Sequence, residues 1–95
     1  MSRVIIILDE AKEDLYKSKE WYESQKEGLG EKFKFRVIQT VDQVIEYPSR
    51  YSKSYGQYRK ALVHKFPYFI YFSFTDTHLV IRRVLHAHSN SGPIF

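Results

Sequence analysis

A chain of 95 residues allows one domain with one modest core, residues 1–95, and excludes a second domain or a large buried cofactor. Hydrophobic residues at 43% and charged residues at 27% exclude an intrinsically disordered chain, and the lack of cysteine excludes disulfides and any sulfur-based zinc site. A formal charge of +4 suits an acidic partner or nucleic acid without demanding either.

The first element is a β-branched and Leu run, Val4 to Leu8, which reads as a strand covered on both faces for much of its length. At five residues it is too short for the apolar core of a signal peptide or for a membrane span of about 20 residues, so the expected location is the cytoplasm, with no membrane contact. Asp9 reads as an N-cap, followed by acids Glu10 and Glu13 in the first turn, where the helix dipole favours them. This helix should run to about Gln25 with a sparse stripe of Ala11, Leu15, Trp21 and Tyr22; Trp21 reads as core. Gly28-Leu29-Gly30 breaks the pattern.

A second helix is expected from about Glu31 to Tyr47, with Phe33, Val37, Val41, Val44 and Ile45 on one face and Pro48 ending it. Two helices joined by a short Gly turn make a helical hairpin. Ser49 to Gln57 reads as a polar, Tyr-rich connection. Three strands follow, about Tyr58–Phe66, Tyr68–Thr75 and His78–His86, with Asp76-Thr77 as a hairpin turn that lacks the usual Gly. The remainder, about 88–95, is rich in Ser, Asn, Gly and Pro and reads as an irregular tail.

The order β-α-α-β-β-β is an α+β, two-layer arrangement: an N-terminal strand, an antiparallel helical hairpin, then a three-stranded antiparallel meander. The hairpin must bury its stripe on one sheet face, which leaves the other face uncovered. Charge is divided along the chain in a way that points to that face. After Pro48, Asp76 is the single acid, against Arg50, Lys53, Arg59, Lys60, Lys65, Arg82 and Arg83, and all four histidines lie there too.

No phosphate loop, nucleotide-binding glycine pattern or metalloprotease helix is present. The candidates are a constellation. Arg59, Lys60, Arg82 and Arg83 are candidate phosphate- or target-binding cations, since Arg offers a planar fork of donors to phosphate and carboxylate. Arg82 and Arg83 are adjacent in a strand, so one should face the helices, where it needs a partner, and the other the open face. His86 and His88 suit general acid–base chemistry near neutral pH; no cysteine or carboxylate accompanies them, so no metal site and no cofactor are read. His64 is placed in a central strand and His78 in a turn. Tyr51, Tyr55 and Tyr58, interleaved with Lys53 and Arg59, read either as a nucleic-acid or partner surface or as aromatics pinning a long loop to the sheet.

Several stretches taken in order resemble one family. They are Asp9-Glu10-Ala11 with Asp14-Leu15, then Tyr47-Pro48, Tyr58-Arg59-Lys60-Ala61-Leu62-Val63, Phe66-Pro67-Tyr68-Phe69-Ile70-Tyr71-Phe72, and Ile81-Arg82-Arg83-Val84-Leu85-His86-Ala87-His88. Over about residues 4 to 90 the sequence is similar to the RelE/ParE toxin superfamily of type II toxin–antitoxin systems, and most so to its ParE-like branch. The resemblance implies a compact toxin held by a cognate antitoxin whose C-terminal segment wraps over the hairpin and sheet, with Trp21, Tyr22 and Tyr58 among its contacts. It also implies one of two targets. ParE-like members bind and poison DNA gyrase without chemistry of their own. RelE-like members cut mRNA on the ribosome, a role that would fall here to His86 or His88 as proton carriers, with Arg59 and Arg83 on phosphate. The terminal tyrosine of the nucleases has no counterpart after Tyr71, and Arg83-Val84-Leu85-His86 follows the ParE-like pattern. A third possibility is a basic binding module that kept the fold and lost toxicity.

Overall fold

The computed structural model describes residues 3–88. The N-terminal strand β1 (Val4–Ile7) leads into helix α1 (Asp9–Gln25), and helix α2 (Leu29–Glu46) follows. A 3-10 turn (Pro48–Arg50) and a short strand β2 (Lys53–Tyr55) then precede β3 (Tyr58–Leu62), β4 (Tyr68–Phe74) and β5 (His78–His86). The strands form one mixed sheet in the order β1-β5-β4-β3-β2. Strands β3, β4 and β5 are the antiparallel meander, while β1 joins the far side of β5 in parallel, with Ile7 opposite Ile81. The α+β plan expected from the sequence holds.

Several local expectations change. Residues 49–57 are not merely a connection: β2 pairs with β3 and makes the sheet five-stranded. Strand β1 is not covered on both faces. It is the outermost strand, and Val4, Ile5 and Ile6 are exposed, with Val4 at 59%. Leu8, not Asp9, is the N-cap of α1, and no side chain caps it. Helix α2 begins two residues earlier than its spacing suggests and stops one residue earlier.

Strand β3 ends at Leu62 instead of Phe66. The Val63 N–H donates to the Tyr68 carbonyl at 2.8 Å and closes the hairpin, and Lys65 takes a left-handed φ of 70°. His64 therefore sits in a turn, and His78 opens β5. The β4–β5 turn manages without glycine because the Thr75 hydroxyl accepts the N–H groups of Thr77 and His78, at 3.3 and 3.1 Å.

Alternation along the strands puts Ala61, Ile70, Phe72, Leu79, Ile81 and Val84 on the face under the helices, where they bury against Ala11, Phe33, Val37 and Val44. The hairpin is locked at its tip by the Glu23 carboxylate, which accepts the N–H of Gly28 and of Gly30, both at 2.9 Å. Gly28 has a φ of 85°, and a Cβ on Gly30 would stand 2.7 Å from the Lys19 carbonyl oxygen, so both positions suit glycine. Among the described residues no helix is long and apolar enough to cross a membrane.

Candidate functional site: two faces of one sheet

Sequence alternation alone places Tyr58, Lys60 and Leu62 of β3 opposite in sense to Arg59 and Ala61. The register carries that division across the sheet: Leu62 opposes Phe69, Phe69 opposes Leu85, and Lys60 opposes Tyr71. These residues form the face without helices. Lys60 lays its ammonium over the Phe69 ring, 4.5 Å from the centroid, and Arg82 lays its guanidinium over Tyr58 at 5.3 Å. Leu62 is 59% exposed, whereas Tyr71 is buried, which raises the pKa of its phenol.

Arg59 does not join this face. It shares the helix side with Ala61, where its Nη1 donates to the carbonyls of Tyr51 at 2.6 Å and Ser49 at 3.3 Å, and its guanidinium lies over Phe74. Tyr51 in turn packs edge-on against Phe72 at 5.8 Å. For Tyr51 the loop-pinning role is therefore the observed one.

The two adjacent arginines take different partners, but strand alternation is not what separates them: Arg83 falls on the row of Tyr71. A register shift between β4 and β5 leaves Phe72 opposite Ile81 and Tyr71 opposite Arg83, so Arg82 is the extra residue of a bulge. Beyond Ile81, β5 has outrun β1, and its free edge is covered by α1. There Asp14 receives a two-pronged ion pair from Arg83, Nε at 2.7 Å and Nη2 at 3.1 Å, and also accepts the Val84 N–H at 3.0 Å. The hydrogen bond that Arg83 donates to Asp14, opposed by partial burial, raises the Arg83 pKa.

The histidines stand elsewhere. His88 donates its backbone N–H to His86 Nδ1 at 3.1 Å, and their rings lie 5.6 Å apart. Both are exposed. His86 also meets the Tyr68 ring, at the lip of a cleft shared with Trp21, Tyr22 and Pro67. Val63 opposes Tyr68, so His86 lies four residue rows from Arg59, a distance of about 13 Å along the sheet. Trp21 is 57% exposed and not core, whereas Tyr22 packs among Phe33, Phe66 and Tyr68. Burial raises the Tyr22 pKa. Trp21 and Tyr22 thus lie together on the helical side, and Tyr58 lies on the other.

A feature that sequence reasoning missed is a groove of about 460 Å³ between β1 and the helices, with Ile5, Ile7, Leu15, Tyr16, Val37 and Ile38 among its lining residues. Tyr16 and Ile38 are exposed at its rim. The signal was present in the sequence as Ile38, an apolar residue just outside the core stripe of α2.

Residues 5–90 match the family model of the ParE toxin of the type II toxin–antitoxin system parDE. The chain belongs to the ParE toxin family. The same fold occurs in the chromosomal ParDE system from P. aeruginosa, with a TM-score of 0.77 at 14% identity over 92% of this chain and 98% of that one. It recurs in the E. coli DinJ–YafQ toxin–antitoxin complex, at TM-score 0.62 and 18% identity, covering 97% of this chain and 100% of the other. YafQ from E. coli strain BL21(DE3) gives 0.56 at 19% identity, covering 88% and 92%. No curated relative matches the sequence at a significant level. This ParE-family chain is the toxin component of a type II toxin–antitoxin module.

Proposed function

We propose that this toxin inhibits DNA gyrase by binding it, in the cytoplasm, and that a cognate antitoxin neutralises it from the helical side. One observation carries the first part: the residues an mRNA nuclease would need are apart or already engaged. Arg59 holds the Ser49 and Tyr51 carbonyls, Arg83 holds Asp14, and His86 stands four residue rows, about 13 Å, along the strands and two strands across from Arg59. Phosphate cleavage through a 2′-hydroxyl requires proton carriers and cations converging on one group. An inhibitor that acts by contact requires no such convergence. The test is a supercoiling assay with purified gyrase, in which the toxin should block activity; ribosome-dependent mRNA cleavage that disappears in His88→Ala would overturn the reading.

The antitoxin part rests on the groove. An outermost strand with exposed apolar side chains is a surface that proteins normally cover. Here Ile5, exposed on β1, and Ile7 line the apolar groove, which suits an apolar segment that folds as it binds. Ile38→Glu should weaken the antitoxin complex at least about tenfold, read by titration calorimetry, because a carboxylate would be buried without a partner.

A further inference from the structure

We propose that the toxin, when no antitoxin is bound, pairs with a second copy of itself through the outer edge of β1, strand against antiparallel strand, with Ile6 on the two-fold axis. The pairing does not depend on which target the toxin poisons. Ile5 and Ile7 also line the groove assigned above to the antitoxin, so on that reading the antitoxin and the second copy compete for one site.

The first argument compares the two edges of the sheet. Proteins blunt an edge with a short strand, charges, Pro or a bulge. The β2 edge follows that rule: it has three residues, starts at Lys53, and pairs irregularly with β3 between Lys53 and Tyr55. The β1 edge breaks it. Val4 to Leu8 contain no charge, no Pro and no Gly, and β1 keeps an unbroken register with β5 from Val4 to Ile7. Val4, Ile5 and Ile6 are exposed, and among the described residues no strand lies beyond them. A regular, uncharged, apolar edge is a template for another strand.

The second argument says which strand fits. The Val4 N–H donates to the Thr77 carbonyl at 2.8 Å and the Leu8 N–H to the Ile81 carbonyl at 3.1 Å, so the even residues turn their main-chain groups toward β5. By alternation Ile5 and Ile7 turn theirs outward. Two antiparallel copies can then pair symmetrically about Ile5, Ile6 or Ile7. Centring on Ile5 sets Arg3 against Ile7 of the second copy, and centring on Ile7 sets Asp9 against its Ile5. Centring on Ile6 sets Ile5 against Ile7, Val4 against Leu8, and Arg3 against Asp9. Apolar side chains then meet apolar ones along the whole strand, and opposite charges meet at both ends. Arg3 is already held at its end of β1, with Nε on the Thr75 carbonyl at 2.6 Å and the guanidinium over Phe74. The register asks only that a carboxylate, and not an isoleucine, stand opposite it. Strands this short bury too little for a permanent dimer, so the pair is weak and reversible, with a Kd on the order of 10–100 μM.

The experiment is sedimentation equilibrium of the purified full chain without antitoxin. Between about 1 μM and about 1 mM the mass should rise from one copy to two and stop there, because joining the two β1 edges closes the assembly. Ile6→Lys sets two ammonium groups opposite each other on the axis and should weaken the pairing at least about tenfold, with thermal unfolding as in the wild type. The register is tested by exchanging charges. Arg3→Asp alone and Asp9→Arg alone each bring like charges together at both ends and should weaken pairing, whereas an equimolar mixture of the two variants should pair again, since opposite charges then meet at both ends. If Ile6→Lys does not fold, the charge exchange decides by itself. A wild type that stays at the mass of one copy up to about 1 mM overturns the proposal, and so does a mass that climbs past two copies. A dimer that folded Ile6→Lys leaves intact, or charge variants whose mixture regains nothing, would place the contact elsewhere and overturn it too.

Discussion

The same three strands of the meander present two unlike faces, one residue apart. Under the helices stand Ala61, Ile70, Phe72, Leu79 and Val84, all at 2% exposure or less. On the far side stand Lys60, Leu62, Phe69, Arg82 and Leu85, exposed or half-buried. Neighbours in the chain thereby acquire opposite employment. Arg59 ties a loop to the sheet while Lys60 faces outward, and Arg83 fastens α1 to β5 while Arg82 lies on Tyr58. The lesson is that a small domain with one helical layer has stability to gain from only one side of its sheet. The other side is released from that duty and can be shaped by a partner. Basic residue type alone does not tell the two uses apart; strand parity does so for Arg59 and Lys60, and the bulge with the Asp14 carboxylate does so for Arg82 and Arg83.

Substitutions on each face sharpen this contrast, and the largest effects belong to the covered side. Phe72→Ala should cost about 3–5 kcal/mol in urea unfolding, because a fully buried ring leaves a cavity the core cannot close. That is a large share of the stability of about 5–15 kcal/mol typical of such a domain, so growth arrest should also be lost.

Asp14→Ala should cost about 2–3 kcal/mol, since it strands the Arg83 guanidinium and the Val84 N–H in a partly buried site. A double-mutant cycle with Arg83→Ala should show a coupling of at least about 0.5 kcal/mol, whereas Asp14 with Arg82 should show none. Gly30→Ala should cost about 1–3 kcal/mol by forcing α1 and α2 apart at the Lys19 carbonyl.

Arg59→Ala should cost about 1–2 kcal/mol and leave toxicity intact, as expected of a loop clamp and not of a phosphate-binding cation. Leu62→Ala should change stability by less than about 0.5 kcal/mol, and a larger loss would mean that the open face shares the structural burden after all.

Much of the architecture was legible before any coordinates. Hydrophobic periodicity located both helices and all three long strands, because each is long enough for a period of 3.6 or 2 to declare itself. Strand β2 escaped because three residues, Lys53-Ser54-Tyr55, offer no alternation to read. Strand β1 reads as buried because an unbroken run of Val and Ile usually means two covered faces. Its place at the margin, with one neighbour only, depends on the whole sheet order. Trp21 reads as core from its residue type, yet it is exposed beside Tyr22, which takes the buried place among Phe33, Phe66 and Tyr68.

The candidate site was legible as composition and not as geometry. That acids all but vanish after Pro48, leaving seven cations among five tyrosines, is plain in the sequence, and Lys60, Tyr58 and Arg82 of that set meet on one sheet face. That Arg59 faces away, that His86 and His88 sit apart from it, and that Arg83 pairs with a carboxylate 69 positions earlier are contacts between distant segments.

The amino-acid sequence by itself determined the two helices, the three long strands that follow them, and the near-absence of acids from the second half of the chain, because these follow from local periodicity and residue counts. Only the tertiary structure decided which partner each cation takes. That choice turns on the strand register, on one bulge at Arg82 and on the reach of Asp14 across the end of β5, none of which a local pattern can encode.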